Sequence, residues 1–140
     1  MAREVFQQLD PKIRFFFLVK EGAKVRAGSR IALIKGKAQA ILSAERVALN
    51  FIQRISGIAT ETYRCVKEVS SFKTRILDTR KTLPGWRYLE KYAVRLGGGK
   101  NHRQGLYDEL LIKDNHLACH KDIGEVLRKV RAGYPHKKIE

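Results

Sequence analysis

A chain of 140 residues with 44% hydrophobic and 31% charged residues can bury one modest core, which leaves no room for two complete domains. Twenty-nine Lys and Arg against 14 Asp and Glu give a formal charge of +15, so phosphates, polycarboxylates or nucleic acid are the natural partners. Cys65 and Cys119 lie far apart and outside any C-x-x-C pattern, which argues against a disulfide framework, and the longest apolar run, Phe15 to Val19, is too short for a membrane span. With no signal-peptide layout at its start, the chain reads as soluble and cytoplasmic.

From Met1 to about Ala44 the pattern predicts short strands broken by glycine: Phe15 to Val19, Ile31 to Ile34, and Ala38 to Leu42. Gly22, Gly28 and Gly36 stand where tight turns need positive φ. The spacing of Gly22, Gly28 and Ile31 is similar to half of a biotinyl or lipoyl carrier motif, but no lysine occupies the hairpin-tip context that a carrier requires. Ser43 offers an N-cap and Glu45 a first-turn charge, predicting a helix from about Ala44 to Val69. Its apolar stripe is Ala48, Ile52, Ile55, Ala59, Val66 and Val69, with Arg46, Arg54 and Arg64 off the stripe as a solvated face.

Beyond Ser70-Ser71 the rhythm becomes strand, loop, helix, strand. We predict a strand at Thr74 to Asp78, a loop at Thr79 to Pro84, a helix at Gly85 to Leu96 and a break at Gly97 to Gly99. A second strand at Leu110 to Ile112, a loop to about Cys119 and a helix near Lys121 to Ala132 follow, the helix carrying Ile123, Val126, Leu127 and Val130 and closed by Gly133. Lys137 to Glu140 open another strand. Strands alternating with helices imply an α/β fold with a parallel sheet, open or closed into a barrel, and in either case ligands sit at the carboxyl ends of the strands. The chain reads as a piece of something larger, because two strands and the start of a third leave apolar helix faces uncovered.

Cations gather at those strand ends. Thr79-Arg80-Lys81-Thr82 follows the first strand, Lys113-Asp114-Asn115-His116 follows the second, and Gly97-Gly98-Gly99-Lys100-Asn101-His102-Arg103 lies between them. An arginine fork matches carboxylate or phosphate oxygens while a lysine acts as a movable point charge, so the loops suit a dianionic ring acid and a phosphorylated sugar. A basic face for nucleic-acid backbone is the plain alternative, but the nearest aromatics, Trp86, Tyr88 and Tyr92, fall on one helix and not among the cations as stacking platforms. His116, Cys119 and His120 crowd three donors into five residues without the second pair of a structural zinc site. Asp78 and Asp114 each follow a strand beside a cation, a placement that suits orienting Arg or Lys more than acid-base chemistry.

The same residues give the chain a family resemblance. Glu45-Arg46-Val-Ala-Leu-Asn50, Ser56 to Thr60, Asp78-Thr-Arg-Lys-Thr-Leu-Pro-Gly85, Lys91 to Val94, Gly97 to Arg103 and Leu111-Ile-Lys-Asp-Asn-His116 closely resemble quinolinate phosphoribosyltransferases. The resemblance implies part of an N-terminal α/β sandwich domain with a long connecting helix over 1–70, and the first part of an α/β barrel over 71–140. It also implies a homodimer with shared active sites. Quinolinate would attack phosphoribosyl pyrophosphate with Mg²⁺ assisting, lose its 2-carboxylate and give nicotinate mononucleotide for NAD synthesis. Arg80, His102 and Arg103 would bind quinolinate, Thr79 would belong to the same loop, and Arg46 would reach in from the neighbouring subunit. Lys81 and Lys113 would serve the anionic substrates as catalytic cations. The acidic metal ligands would lie past Glu140, none within this chain, so the chain is expected to be inactive alone.

Overall fold

The computed structural model describes residues 1–120 and 122–140. The element order is α1 (Ala2–Leu9), β1 (Arg14–Phe17), β2 (Ala32–Lys35), α2 (Ala38–Glu68), α3 (Arg87–Leu96), α4 (Asp114–Ala118) and α5 (Ile123–Gly133). The molecule is thus α/β, and its organising element is α2, whose 31 residues run for about 46 Å at 1.5 Å per residue.

The N-terminal unit is more helical than the glycine spacing predicts. Ala2, Val5, Phe6 and Leu9 fall at helical intervals, and the first three of these pack into one cluster with Ile13, Ala44 and Ala48. The order of α1 ends at Asp10, which precedes Pro11. β1 and β2 pair antiparallel with Arg14 opposite Lys35 and Phe17 opposite Ala32. Phe15 and Ile34 are cross-strand partners and share the face that joins the core, as the period of two requires.

Ala38 to Leu42 is helix and not strand, so α2 begins one and a half turns before Ser43, with Lys37 as its N-cap. The alternation Ala38, Ala40, Leu42 imitates a strand, but Ala40 and Ile41 pack against the Phe6 and Ile13 cluster, and that contact selects the helix. Gly22 and Gly28 have positive φ as expected; Gly36 does not. Its glycine serves close approach, since a Cβ there would stand 2.7 Å from Ile13 Cγ1.

The C-terminal half of α2 carries α3. Ile55 and Thr62 are buried on α2, Ala93 is buried on α3, and Phe51 stacks on Trp86 at 5.0 Å between ring centroids. Arg54 is not merely a solvated charge: its Nε and Nη2 donate to Glu90 Oε1 at 3.1 and 2.5 Å, pinning a carboxylate that is only 10% exposed. Arg64, by contrast, makes a surface pair with Glu61.

Parallel pairing follows, in reduced form. Leu77 bridges Lys100 and Leu110 bridges Ile139, both in parallel, where the sequence predicts full strands over Thr74 to Asp78 and Leu110 to Ile112. Each segment is paired at one position and on one side among the described residues, so no ladder extends. The partner of the first strand is the stretch at Lys100, directly after the glycines, which the sequence suggests only as a turn. The loop predicted up to Cys119 contains the short helix α4. α5 starts at Ile123 and includes Gly133, with Tyr134 as its cap; the predicted first residue, Lys121, lies outside the described residues. Its apolar stripe is not buried: Ile123 and Leu127 are exposed, and Val126 and Val130 half-buried. Among the described residues no helix is long and apolar enough to cross a membrane.

Gly97 sets the approach of α3 to α2. A Cβ there would lie 2.4 Å from the Ala59 carbonyl oxygen and 2.6 Å from Thr62 Cβ, and neither backbone nor β-branched carbon can swing aside. Gly97→Ala is expected to lower the unfolding free energy by about 1–3 kcal/mol, as overpacking does elsewhere. Chemical denaturation measures this, and an unchanged midpoint would show that the two helices can separate freely.

Candidate active site

Both loops of interest start from the Leu77 and Lys100 bridge. Asp78 N–H donates to Lys100 O at 3.2 Å and Lys100 N–H to Ile76 O at 2.9 Å, so the chain leaves the two paired segments in the same direction. One segment continues into Thr79 to Thr82 and the other into Asn101 to Gln104, which places Arg80 and the His102-Arg103 pair at neighbouring exits.

A buried carboxylate joins them. Asp78 Oδ1 accepts from Lys91 Nζ and from His102 N–H at 2.9 Å. The Asn101 amide, oriented with its nitrogen toward acceptors, donates to Asp78 Oδ2 and to Lys91 O, each at 2.9 Å. Lys91 Nζ also donates to His102 O at 2.8 Å. The side chains of Lys91 and Asp78 are 1% and 6% exposed, so this pair is secluded from water and its charges answer each other. Asp78 therefore orients a lysine, as its position beside a strand end suggests.

Arg87 adds a second set of ties from the same helix. Its Nε donates to Thr82 Oγ1 at 3.1 Å, its Nη2 to Arg80 O at 3.3 Å and its Nη1 to Gln104 O at 3.3 Å. Asp108 holds the far loop by accepting from the N–H groups of Gln104 and Gly105 at 2.5 and 3.0 Å. These backbone donors keep its carboxyl below the usual range against the opposing effect of desolvation, the largest single influence on it.

The expected site residues separate into two groups. Arg80, His102 and Arg103 are half-buried and share this network; Arg80 Nε is enclosed without an acceptor, and Arg103 Nη1 donates to Glu109 O at 3.4 Å. Thr79 Oγ1 accepts from Lys81 N–H at 3.1 Å, giving the first loop its turn, while the Lys81 side chain is exposed. Lys113 is exposed at the start of α4, where its N–H donates to His116 Nδ1 at 3.1 Å and its carbonyl accepts from His116 N–H at 2.9 Å. Arg46 stands on an exposed face of α2 and has no hydrogen bond or ion pair with the cluster among the described residues. A concavity of about 560 Å³ lies elsewhere, beside α5, lined by Leu127, Arg128, Arg131, Ala132 and Ile139. Sequence reasoning misses Arg87 and gives Lys91 no role. The available signal is a pair of cations one turn apart on one face of α3.

His102 Nε2 meets Glu140 Oε2 at 2.7 Å, and together with Glu109 they form a group whose donor atoms lie within 4.8 Å of one another. It does not fit magnesium. That ion demands near-octahedral oxygen coordination, whereas one donor here is a ring nitrogen already engaged by Glu140, and Lys138 Nζ stands 3.7 and 3.6 Å from Glu109 and Glu140. His116, Cys119 and His120 form no metal-binding group among the described residues.

The hydrogen bond from His102 is the main influence holding the Glu140 carboxyl below the ordinary glutamate value of 4.5. A group whose pKa is depressed by folding loses its contribution as pH falls through the folded value, so this contact should persist at pH 4.5 and fail below it. A carbon NMR titration should place the Glu140 midpoint below 4.5 and move it upward in His102→Ala; a midpoint insensitive to His102 would mean the contact is not formed in solution.

The model of the quinolinate phosphoribosyl transferase C-terminal domain matches residues 58–140, and that of the N-terminal domain matches residues 1–56, the two meeting inside α2. A probable nicotinate-nucleotide pyrophosphorylase [carboxylating] from Bacillus subtilis is 49% identical over 136 residues, covering 97% of this chain and 47% of its own. Quinolinate phosphoribosyltransferase [decarboxylating] 1b from Nicotiana tabacum is 41% identical over 140 residues, covering 100% of this chain and 39% of its own. A solved nicotinate-nucleotide pyrophosphorylase from Francisella tularensis superimposes with a TM-score of 0.93 at 48% identity, covering 97% of this chain and 49% of that one. The chain spans about half the length of the curated bacterial relatives it matches, so the barrel part of the fold is only partly covered. Matched along nearly its whole length by both domain models, the chain belongs to the quinolinate phosphoribosyl transferase family.

Proposed function

We propose that the clustered loops bind quinolinate, and that the protein transfers a phosphoribosyl group from phosphoribosyl pyrophosphate to it with decarboxylation. The observation that carries this reading is the pairing of Arg80 with His102 and Arg103 at adjacent exits of two parallel segments, where Arg80 Nε is enclosed without an acceptor. An enclosed guanidinium lacking an acceptor is costly, and a carboxylate oxygen supplies what it lacks. Two cationic seats on two loops suit two carboxylates on neighbouring ring carbons.

In this reading Arg80, His102 and Arg103 hold the diacid so that its ring nitrogen faces C1 of the sugar. Lys81 and Lys113, exposed and unpaired within their loops, meet the phosphate and pyrophosphate oxygens as mobile charges, with Thr79 shaping the turn between. The ring nitrogen forms its bond to C1 as the bond to pyrophosphate breaks. Loss of the 2-carboxylate as carbon dioxide then leaves an electron pair at the ring carbon, which takes a proton. Restraint of the nucleophile and positive charge around the leaving group account for much of the barrier reduction. Magnesium belongs to the proposed reaction, where substrate phosphates would supply much of its coordination, and the His102, Glu109 and Glu140 group does not fit it. We also propose that these 140 residues, about half the length of the bacterial relatives they match, do not turn over alone.

Arg46 supports a dimeric site. It is exposed on α2 and makes no hydrogen bond or ion pair with the cluster among the described residues, which suits a side chain offered to a site on a second copy. In mixed dimers of Arg46→Ala and Arg80→Ala chains, one composite site keeps both arginines and the other loses both. Restored quinolinate binding is expected, and verified mixed dimers without it would exclude sharing.

Calorimetry tests the ligand. Arg80→Ala or Arg103→Ala should weaken quinolinate binding at least about tenfold, the scale of one lost hydrogen bond to a charged group. Unchanged affinity in Arg80→Ala would overturn the assignment. If the +15 surface instead serves nucleic acid, binding will fall steeply with salt and depend on many Lys and Arg together.

A further inference from the structure

We infer that Arg87 and Lys91 are positioning residues that set the spacing between the Arg80 loop and the His102-Arg103 loop, and through it the preference for a diacid over a monoacid. The inference rests on the quinolinate reading above and assigns its selectivity to residues that do not touch the ligand.

Arg87 and Lys91 lie one turn apart on α3 and face the same way. Each of them bonds to both loops. The Arg87 fork reaches Thr82 Oγ1 and Arg80 O on one loop and Gln104 O on the other, at 3.1 to 3.3 Å. Lys91 Nζ reaches Asp78 at the root of the first loop and His102 O on the second. With these acceptors engaged, both cations are committed to the protein, in contrast to exposed Lys81 and Lys113.

The backbone leaves this task to them. Residues 79–82 and 101–104 form no ladder, and parallel pairing ends at the Leu77 and Lys100 bridge. Past that point the loops are joined, among the described residues, by the Asp78, Asn101, Lys91 and Arg87 hydrogen bonds. A diacid must satisfy a seat on each loop at one fixed separation, whereas a monoacid needs one seat and is indifferent to the spacing. Loosening α3 from the loops therefore penalises the diacid selectively.

The test is calorimetric binding of quinolinate and of nicotinate, its monoacid counterpart, to the intact protein and its variants. Arg87→Ala should weaken quinolinate at least about tenfold while leaving nicotinate nearly unchanged, so that the ratio of the two affinities collapses. Arg87→Lys should not rescue the ratio, because the three acceptors are met by three different guanidinium nitrogens and a single lysine nitrogen cannot stand at all three places. Lys91→Met should act in the same direction; if its buried site prevents folding, the half-buried Arg87 carries the test by itself. Parallel losses for both ligands, or an unchanged ratio in folded Arg87→Ala, would overturn the inference. If Arg80→Ala abolishes quinolinate binding while Arg87→Ala keeps the ratio, only this inference fails; if Arg80→Ala has no effect, the quinolinate reading fails first.

Discussion

The arrangement depends on one ion pair out of contact with water, Lys91 with Asp78. Burying a lone charge is costly, and losing one partner of such a pair commonly costs about 3–5 kcal/mol because the other charge is stranded. Here every oxygen of the carboxylate has a donor, and the ammonium has both the carboxylate and a carbonyl. A buried polar network connected in this way specifies a single geometry. Its other partners are the amide and carbonyl of His102, the Asn101 side chain and the Lys91 carbonyl, so the pair fixes loop backbone and leaves exposed Lys81 free to meet anions.

That network holds only while α3 sits at a fixed height over α2. Ala93 is fully buried, Gly97 lets the chain turn against Ala59 and Thr62, and Arg54 ties Glu90 from outside. Small residues at the contact and a charged clasp at its margin give a close, well-registered crossing. The opposite end of α2 is occupied by the Phe6 and Ile13 cluster and the β1 and β2 pair, so one long helix links a small core to the loop cluster. The buried core is correspondingly lean, and Ile123 and Leu127 on α5, with Leu106 and Tyr107, stay exposed.

Much of this was legible in the residues. The cationic stretches at strand exits, the α3 helix, the family and the α/β class all follow from sequence patterns that local chemistry constrains tightly. In the first forty residues the two short strands and the Gly22 and Gly28 turns were legible, but α1 was not, and the Ala38 to Leu42 alternation suggests a strand where packing of Ala40 and Ile41 on the Phe6 and Ile13 cluster decides for helix. Gly36 looks like a turn glycine and is a contact glycine, a distinction that only the position of Ile13 reveals. The gathering of Arg80, His102 and Arg103 at neighbouring segment ends was legible from residue type and place. Arg87 and Lys91 do not, since a cation on a helix is ordinarily a solvated one and only tertiary contact turns it toward main-chain acceptors.

The central claim is that the loops are fixed before any ligand arrives, by a carboxylate that accepts from the His102 amide. Hydrogen exchange at that single amide in the ligand-free protein measures it most directly. The account predicts protection comparable to that of α3 amides, lost in Asp78→Ala and reduced in Lys91→Met. An amide at His102 that exchanges as fast as an open loop, or whose protection survives removal of the Asp78 carboxylate, would contradict it.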